Sequence, residues 1–205
     1  ESYDLLSLSD YNVNLSFLLE FALTHHFDDA VILPLIDFMR ELDVDFSAQN
    51  DVGDTALMLA FKHNASTDVI EFLIETMEIQ KEPVIDFSHQ NNCGYNVLML
   101  ALIARAESSV VLSIIDILQD QIVHPADFFA QTHEGYSAAV FAVAYEADAN
   151  IVQALLTAMD AQNAPLTSVL IDSPPPAVAS VHHSPSSIAA DISLARHINF
   201  PPLNT

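Results

Sequence analysis

A thiol, an imidazole and a carboxylate stand at related places in this chain: Cys93, His133 and Asp51. Together they carry the functional groups of a cysteine nucleophile, its base and an orienting acid. Their spacing argues against that use. Each lies beside one of the three glycines, Gly53, Gly94 and Gly135, and these are 41 residues apart. Helical units repeating at that interval stack about 8–10 Å apart, whereas a nucleophile and its base must approach to about 3 Å. The simpler reading is a turn cysteine and a solvated histidine. His25-His26 and His182-His183 are sequence neighbours. On a helix their rings diverge by about 100°, a poor arrangement for sharing a metal ion. Acidic pairs such as Asp28-Asp29 and Asp43/Asp45 read as solvated charge. With all three glycines committed to one repeated position, none remains for a phosphate-cradling loop.

The elements that would position these residues are bounded by composition. The chain has 205 residues, 51% of them hydrophobic, which is too apolar for disorder and enough for a packed core. Five lysines and arginines face 28 aspartates and glutamates, a formal charge of −23. Such a surface repels phosphate backbones and anionic headgroups, so nucleic acid and membrane are excluded as expected partners and a basic protein is favoured. No run of apolar residues is long enough to span a bilayer, and Glu1 to Asp10 has neither the basic nor the apolar region of a signal peptide. A single cysteine excludes an intrachain disulfide and fits a reducing, intracellular setting.

The glycine register extends to whole segments. Gly53-Asp-Thr-Ala-Leu-Met-Leu-Ala60, Gly94-Tyr-Asn-Val-Leu-Met-Leu-Ala101 and Gly135-Tyr-Ser-Ala-Ala-Val-Phe-Ala142 align with one another. Val69-Ile-Glu-Phe-Leu-Ile74, Val110-Val-Leu-Ser-Ile-Ile115 and Ile151-Val-Gln-Ala-Leu-Leu156 follow in phase, and Asp45-Phe-Ser-Ala-Gln49, Asp86-Phe-Ser-His-Gln90 and Asp127-Phe-Phe-Ala-Gln131 precede. A divergent first copy lies 38 residues upstream, with Ala22 on Ala60 and Val31 to Ile36 on Val69 to Ile74. The glycine supplies positive φ in a turn. Thr55, Asn96 and Ser137, two residues on, offer N-caps, so a first helix is expected over roughly 55–64, 96–105 and 137–146. A second, apolar around most of its circumference, follows each, and only stacking on neighbouring pairs would bury it.

This combination of turn, cap and two helices resembles the ankyrin repeat over about residues 10–173. It departs from that family in its period, which is usually about 33 residues, and in having Ala-Leu-Met, Val-Leu-Met and Ala-Ala-Val where the family has Pro-Leu-His. The extra residues fall mainly between the second helix and the next turn, as in Glu78 to Val84. The resemblance implies an all-α, ankyrin-type helix-turn-helix solenoid of about four repeats, with units at about 10–50, 51–91, 92–132 and 133–173 within a domain of 1–173. Residues 174–205 are expected to form a Pro-rich connector, or a groove-docking ligand, followed by a short capping helix over about 186–197. Long, divergent units of this kind are similar to those of effectors that intracellular bacteria inject into host cells, which implies a cytosolic place of action, including a host cytosol, and a part in virulence.

The resemblance further implies a non-catalytic protein-binding module, monomeric alone, with no cofactor, metal or catalytic residue assigned. In that arrangement the fingertip candidates are Asp51, Val52, Asp54, Asn92, Cys93, Tyr95, His133, Glu134 and Tyr136. The candidates on a concave face of the first helices are Leu59, Lys62, Leu100, Ile103, Phe141 and Tyr145. For Leu59, Leu100 and Phe141 the competing reading is packing between helices. Tyr95 and Tyr136 occupy equivalent positions and combine large contact area with a polar tip. Two alternatives remain: an enzyme, with Cys93 as nucleophile or with its catalytic domain on a segment outside this sequence, and a scaffold or homo-oligomer joined through repeat ends.

Overall fold

The computed structural model describes residues 8–80, 83–121 and 126–163, with side chains from Leu15 to Gln162. Among them are eight helices and no strand: α1 (Leu8–Thr24), α2 (Asp29–Glu41), α3 (Ala56–Lys62), α4 (Thr67–Ile79), α5 (Val97–Ile103), α6 (Ser108–Asp120), α7 (Ala138–Ala144) and α8 (Ala149–Asn163). The described chain is all-α. Each odd-numbered helix packs on the even one after it; α1, α3, α5 and α7 form one layer, and α2, α4, α6 and α8 a second. The expected connector and capping helix, the last ten residues of the fourth unit and His182-His183 lie outside the described residues.

The short helices start as the sequence predicts. Thr55 and Asn96 sit at the N-caps with extended backbone and accept from the amides of Met58 (3.5 Å) and Met99 (3.0 Å); Ser137 holds the same place before α7. They end earlier than expected, at Lys62, Ile103 and Ala144, because Asn64, Arg105 and Glu146 take left-handed backbone (φ 51°, 53° and 58°). The next residue then turns back onto the helix: Ala65 N–H bonds Ala60 O at 2.9 Å, Ala106 bonds Ala101 at 3.0 Å, and Ala147 bonds Ala142 at 2.8 Å. This termination usually uses glycine or asparagine, so arginine and glutamate there concealed it. His26 (φ 51°) stands 38 residues before Asn64 and ends α1 in the same way, with Phe27 N–H bonded to Ala22 O at 3.0 Å.

The core lies between the layers. Leu73, Ile114 and Leu155, equivalent positions of α4, α6 and α8, are fully buried, each stabilising the fold by about 1.5–3 kcal/mol. Polar bonds also link successive pairs at the starts of the long helices: the Thr67 hydroxyl donates to Glu107 at 3.0 Å, and the Ser108 hydroxyl donates to Asp148. The segments leading into each turn fold back on the core, so that Val44, Phe46, Ile85, Phe87, Phe128 and Phe129 are buried.

Candidate functional site

Before each short helix the chain makes the same turn. Asn50, Asn91 and Thr132 organise it: the Asn50 side-chain Oδ1 accepts from Val52 and Asp54 N–H (3.1 and 3.0 Å), that of Asn91 from Cys93 and Tyr95 N–H (both 3.0 Å), and the Thr132 hydroxyl from Tyr136 N–H (3.2 Å). Main-chain bonds close each turn from Gly53, Gly94 and Gly135 to residues 50, 91 and 132, at 2.8–2.9 Å. The glycines have φ of 81°, 83° and 86°, a conformation that costs an L side chain strain.

Successive turns are bonded to one another through their backbones. Asn92 N–H donates to Val52 O and His133 N–H to Cys93 O, both at 3.0 Å. The Asn92 amide adds a bond to Asp51 O at 3.1 Å, the His89 ring meets Gly53 O at 3.0 Å, and the Gln90 amide reaches Gln131 O at 3.0 Å. Residues 51–54, 92–95 and 133–136 therefore form one ridge with fixed spacing. Asp51, Val52, Asn92, Cys93, His133 and Glu134 are exposed on it. Cys93 and His133 meet through main-chain atoms, and among the described residues no hydrogen bond joins their side chains.

Behind the ridge, several expected contact residues are interior. Asp54 is buried, not exposed: its carboxylate pairs with Lys62 Nζ at 2.5 Å and accepts from the Asn91 amide at 2.6 Å, which ties one turn to the next. Leu59, Leu100, Ile103 and Phe141 are likewise buried. α3 and α5 are packed by a neighbour of their layer on either side and α7 by α5, each with a long helix behind, so little of their circumference is left for solvent. No open apolar groove runs along α3, α5 and α7. Lys62, Tyr95, Tyr136 and Tyr145 are half-buried. The three tyrosines surround the Phe141 ring, with centroids 5.8, 6.1 and 6.4 Å away for Tyr95, Tyr136 and Tyr145. Burial first, then the Glu134 carboxylate, pushes the Tyr95 phenol above its ordinary range. Burial raises Tyr145 as well, opposed by Arg105. Both phenols are neutral donors at physiological pH.

Sequence reasoning passed over two repeating polar positions. Asn50, Asn91 and Thr132 build the turns. Gln80, Gln121 and Gln162 pin the inserted loops: Gln80 accepts from Phe46 N–H at 3.1 Å and donates to Pro83 O at 3.1 Å, Gln121 donates to Ile85 O at 2.8 Å, and Gln162 accepts from Phe128 N–H at 3.0 Å and donates to Ala126 O at 2.9 Å. Both sets recur at the 41-residue interval and were legible in it. Asp45 is not the solvated charge expected of it: Asp45 and Asp86 are half-buried, each accepting from the serine N–H and hydroxyl two residues on.

Among the described residues no three His, Cys, Asp or Glu side chains are grouped to hold a metal ion, and no helix is long and apolar enough to cross a membrane. No family model matches the chain, and no curated protein matches it significantly.

Proposed function

We propose that this chain is a non-catalytic, ankyrin-type protein-binding module that recognises a basic protein through the ridge formed by its turns. The observation that carries this reading is the backbone-bonded ridge itself. It holds Asp51, Val52, Asn92, His133 and Glu134 in solvent at fixed spacing, with the half-buried Tyr95 and Tyr136 at its base. Presenting side chains from a rigid array avoids much of the ordering cost of association, and tyrosines of this kind supply contact area with few rotatable bonds. The formal charge of −23 favours a cationic partner and speeds encounter more than it fixes affinity. Of the residues expected on the short-helix side, Lys62 and Tyr145 remain accessible to such a partner; Asp54, Leu59, Leu100, Ile103 and Phe141 support the surface from within.

Affinity capture from cell lysate at low and high salt, with the native chain and with Tyr95→Ala/Tyr136→Ala, tests the proposal. The expected outcome is a salt-sensitive protein partner, weakened in the variant, with an unchanged circular dichroism spectrum. Full retention of the partner by the variant rejects this face.

A further inference from the structure

The first helix pair exposes on its outer side the positions that every later pair buries. On the short-helix layer, Phe21 is 40% exposed, while the residues equivalent to it, Leu59, Leu100 and Phe141, are 6%, 1% and 1% exposed. On the long-helix layer, Val31 is 49% exposed, against 0%, 2% and 3% for Val69, Val110 and Ile151. Later pairs bury these positions against the preceding pair: α1 covers α3, and α2 covers α4. Phe17, Leu18, Phe27, Phe38 and Leu42 are exposed on the same first pair. Helical geometry gives the direction. Arg40 lies over the Phe72 ring of α4, 5.5 Å from its centroid, and Val31, Phe38 and Leu42 stand about 180–200° around α2 from Arg40. The apolar stripe therefore faces away from the rest of the stack. Phe21 and Phe27 extend it between the two helices, their rings edge to face at 5.9 Å.

We propose that this end face is a second docking surface, distinct from the ridge, and that it takes an amphipathic helix whose apolar stripe is flanked by lysine or arginine. A helix is the shape the face fits, because α2 presents outward what α4 presents to α2. Charge selects its flanks. Asp28 caps the head of α2 and Glu41 stands in its last turn, both exposed, while Arg40, the cation of that helix, is engaged by Asp37 and Phe72. A second copy would set these acids against each other, on a chain that already carries −23, whereas a cationic helix buries the stripe and meets the acids.

The test uses a fluorescent helical peptide with leucines at i, i+3, i+4 and i+7 flanked by lysines, and its counterpart flanked by glutamates, titrated into the full chain by anisotropy. The lysine peptide is expected to bind, with affinity falling at least about tenfold for the glutamate peptide and for the Phe21→Ser/Val31→Ser/Phe38→Ser variant. Asp28→Asn/Glu41→Gln, which leaves the apolar stripe intact, should weaken binding several-fold and steepen none of its salt dependence. Tyr95→Ala/Tyr136→Ala should bind the peptide like the native chain, which separates failure of this proposal from failure of the ridge. Absence of binding, or equal binding by the triple-serine variant, overturns the proposal. So does a native dimer in sedimentation equilibrium that the triple-serine variant dissociates, since the occupant is then a second copy.

Discussion

Substituting alanine at Gly53, Gly94 and Gly135 in turn separates two demands that the repeat places on one residue. All three have φ between 81° and 86°, so each substitution pays about 1–2 kcal/mol for an L residue in left-handed backbone and recovers about 0.4–1 kcal/mol from a less flexible unfolded chain. The second demand is space. A Cβ on Gly94 would meet Thr132 Cα at 2.8 Å, Gln131 O at 3.0 Å and His133 N at 3.0 Å, all main-chain atoms of the next turn. At Gly53 the nearest atom is the movable Asn92 side-chain oxygen, at 2.9 Å, with Asn92 N at 3.0 Å, and at Gly135 nothing lies within 4 Å. Relieving the Gly94 contact must push apart two turns joined by the His133 to Cys93 bond, adding about 1–3 kcal/mol of overpacking strain and about 1 kcal/mol for the weakened bond. Gly135→Ala should therefore cost about 0–1.5 kcal/mol and Gly94→Ala about 2–5 kcal/mol, with Gly53→Ala between. Urea unfolding followed by circular dichroism gives the global loss. At about 2–4 °C per kcal/mol for a chain of this size, Gly94→Ala should melt several degrees below Gly135→Ala. Amide exchange at His133 gives the local loss and should accelerate most in Gly94→Ala. Equal destabilisation by Gly94→Ala and Gly135→Ala would refute the reasoning, because strain in φ alone would then account for the glycines.

Two further expectations concern charge. Lys62→Met strands the fully buried Asp54 carboxylate with the Asn91 amide as its remaining side-chain partner; because Lys62 is partly exposed, the loss should be about 1–3 kcal/mol, read from the urea midpoint, and should exceed that of Arg40→Met at the exposed Asp37 pair, about 0–1 kcal/mol. His63, which caps α3, lies 6.1 Å from the His26 ring, and burial, then His26 and Lys62, hold its pKa below the ordinary 6.5. The unfolded chain thus binds this proton at a higher pH than the folded one, so stability contributed by neutral His63 is intact above about pH 7 and is lost as pH falls through 6.5 toward the lower folded value. Urea melts between about pH 7 and 5 should show a smaller decline for His63→Asn than for the native chain; parallel declines would remove His63 from the account.

How far the sequence reaches differs between local and lateral features. The recurrence of glycine, cap residue and two apolar segments determined the number and order of the helices, and the caps at Thr55 and Asn96, because these depend on residues within one turn of each other. The first unit was legible without its glycine because Ala22 and Val31 kept one offset. Turn construction by Asn50, Asn91 and Thr132, and loop anchoring by Gln80 and Gln162, were present in the same interval but are polar positions that apolar periodicity does not reveal.

Burial was decided by what lies beside each unit. Leu59, Leu100 and Phe141 belong to a helix face that a seven-residue pattern cannot assign to solvent or neighbour; stacking buries them, and the same position in the first pair, where no described helix packs on that side, leaves Phe21 in solvent. Asp54 read as a fingertip charge because it follows a turn glycine, yet Lys62, eight residues on, and Asn91, from the next unit, draw it inside. The sequence by itself determined the repeating unit, since the backbone preferences of glycine, caps and apolar runs are local. The tertiary structure alone decided which faces those units keep, since a residue's exposure is set by the neighbour that covers it, and contacts between residues some forty positions apart leave no mark in any single unit.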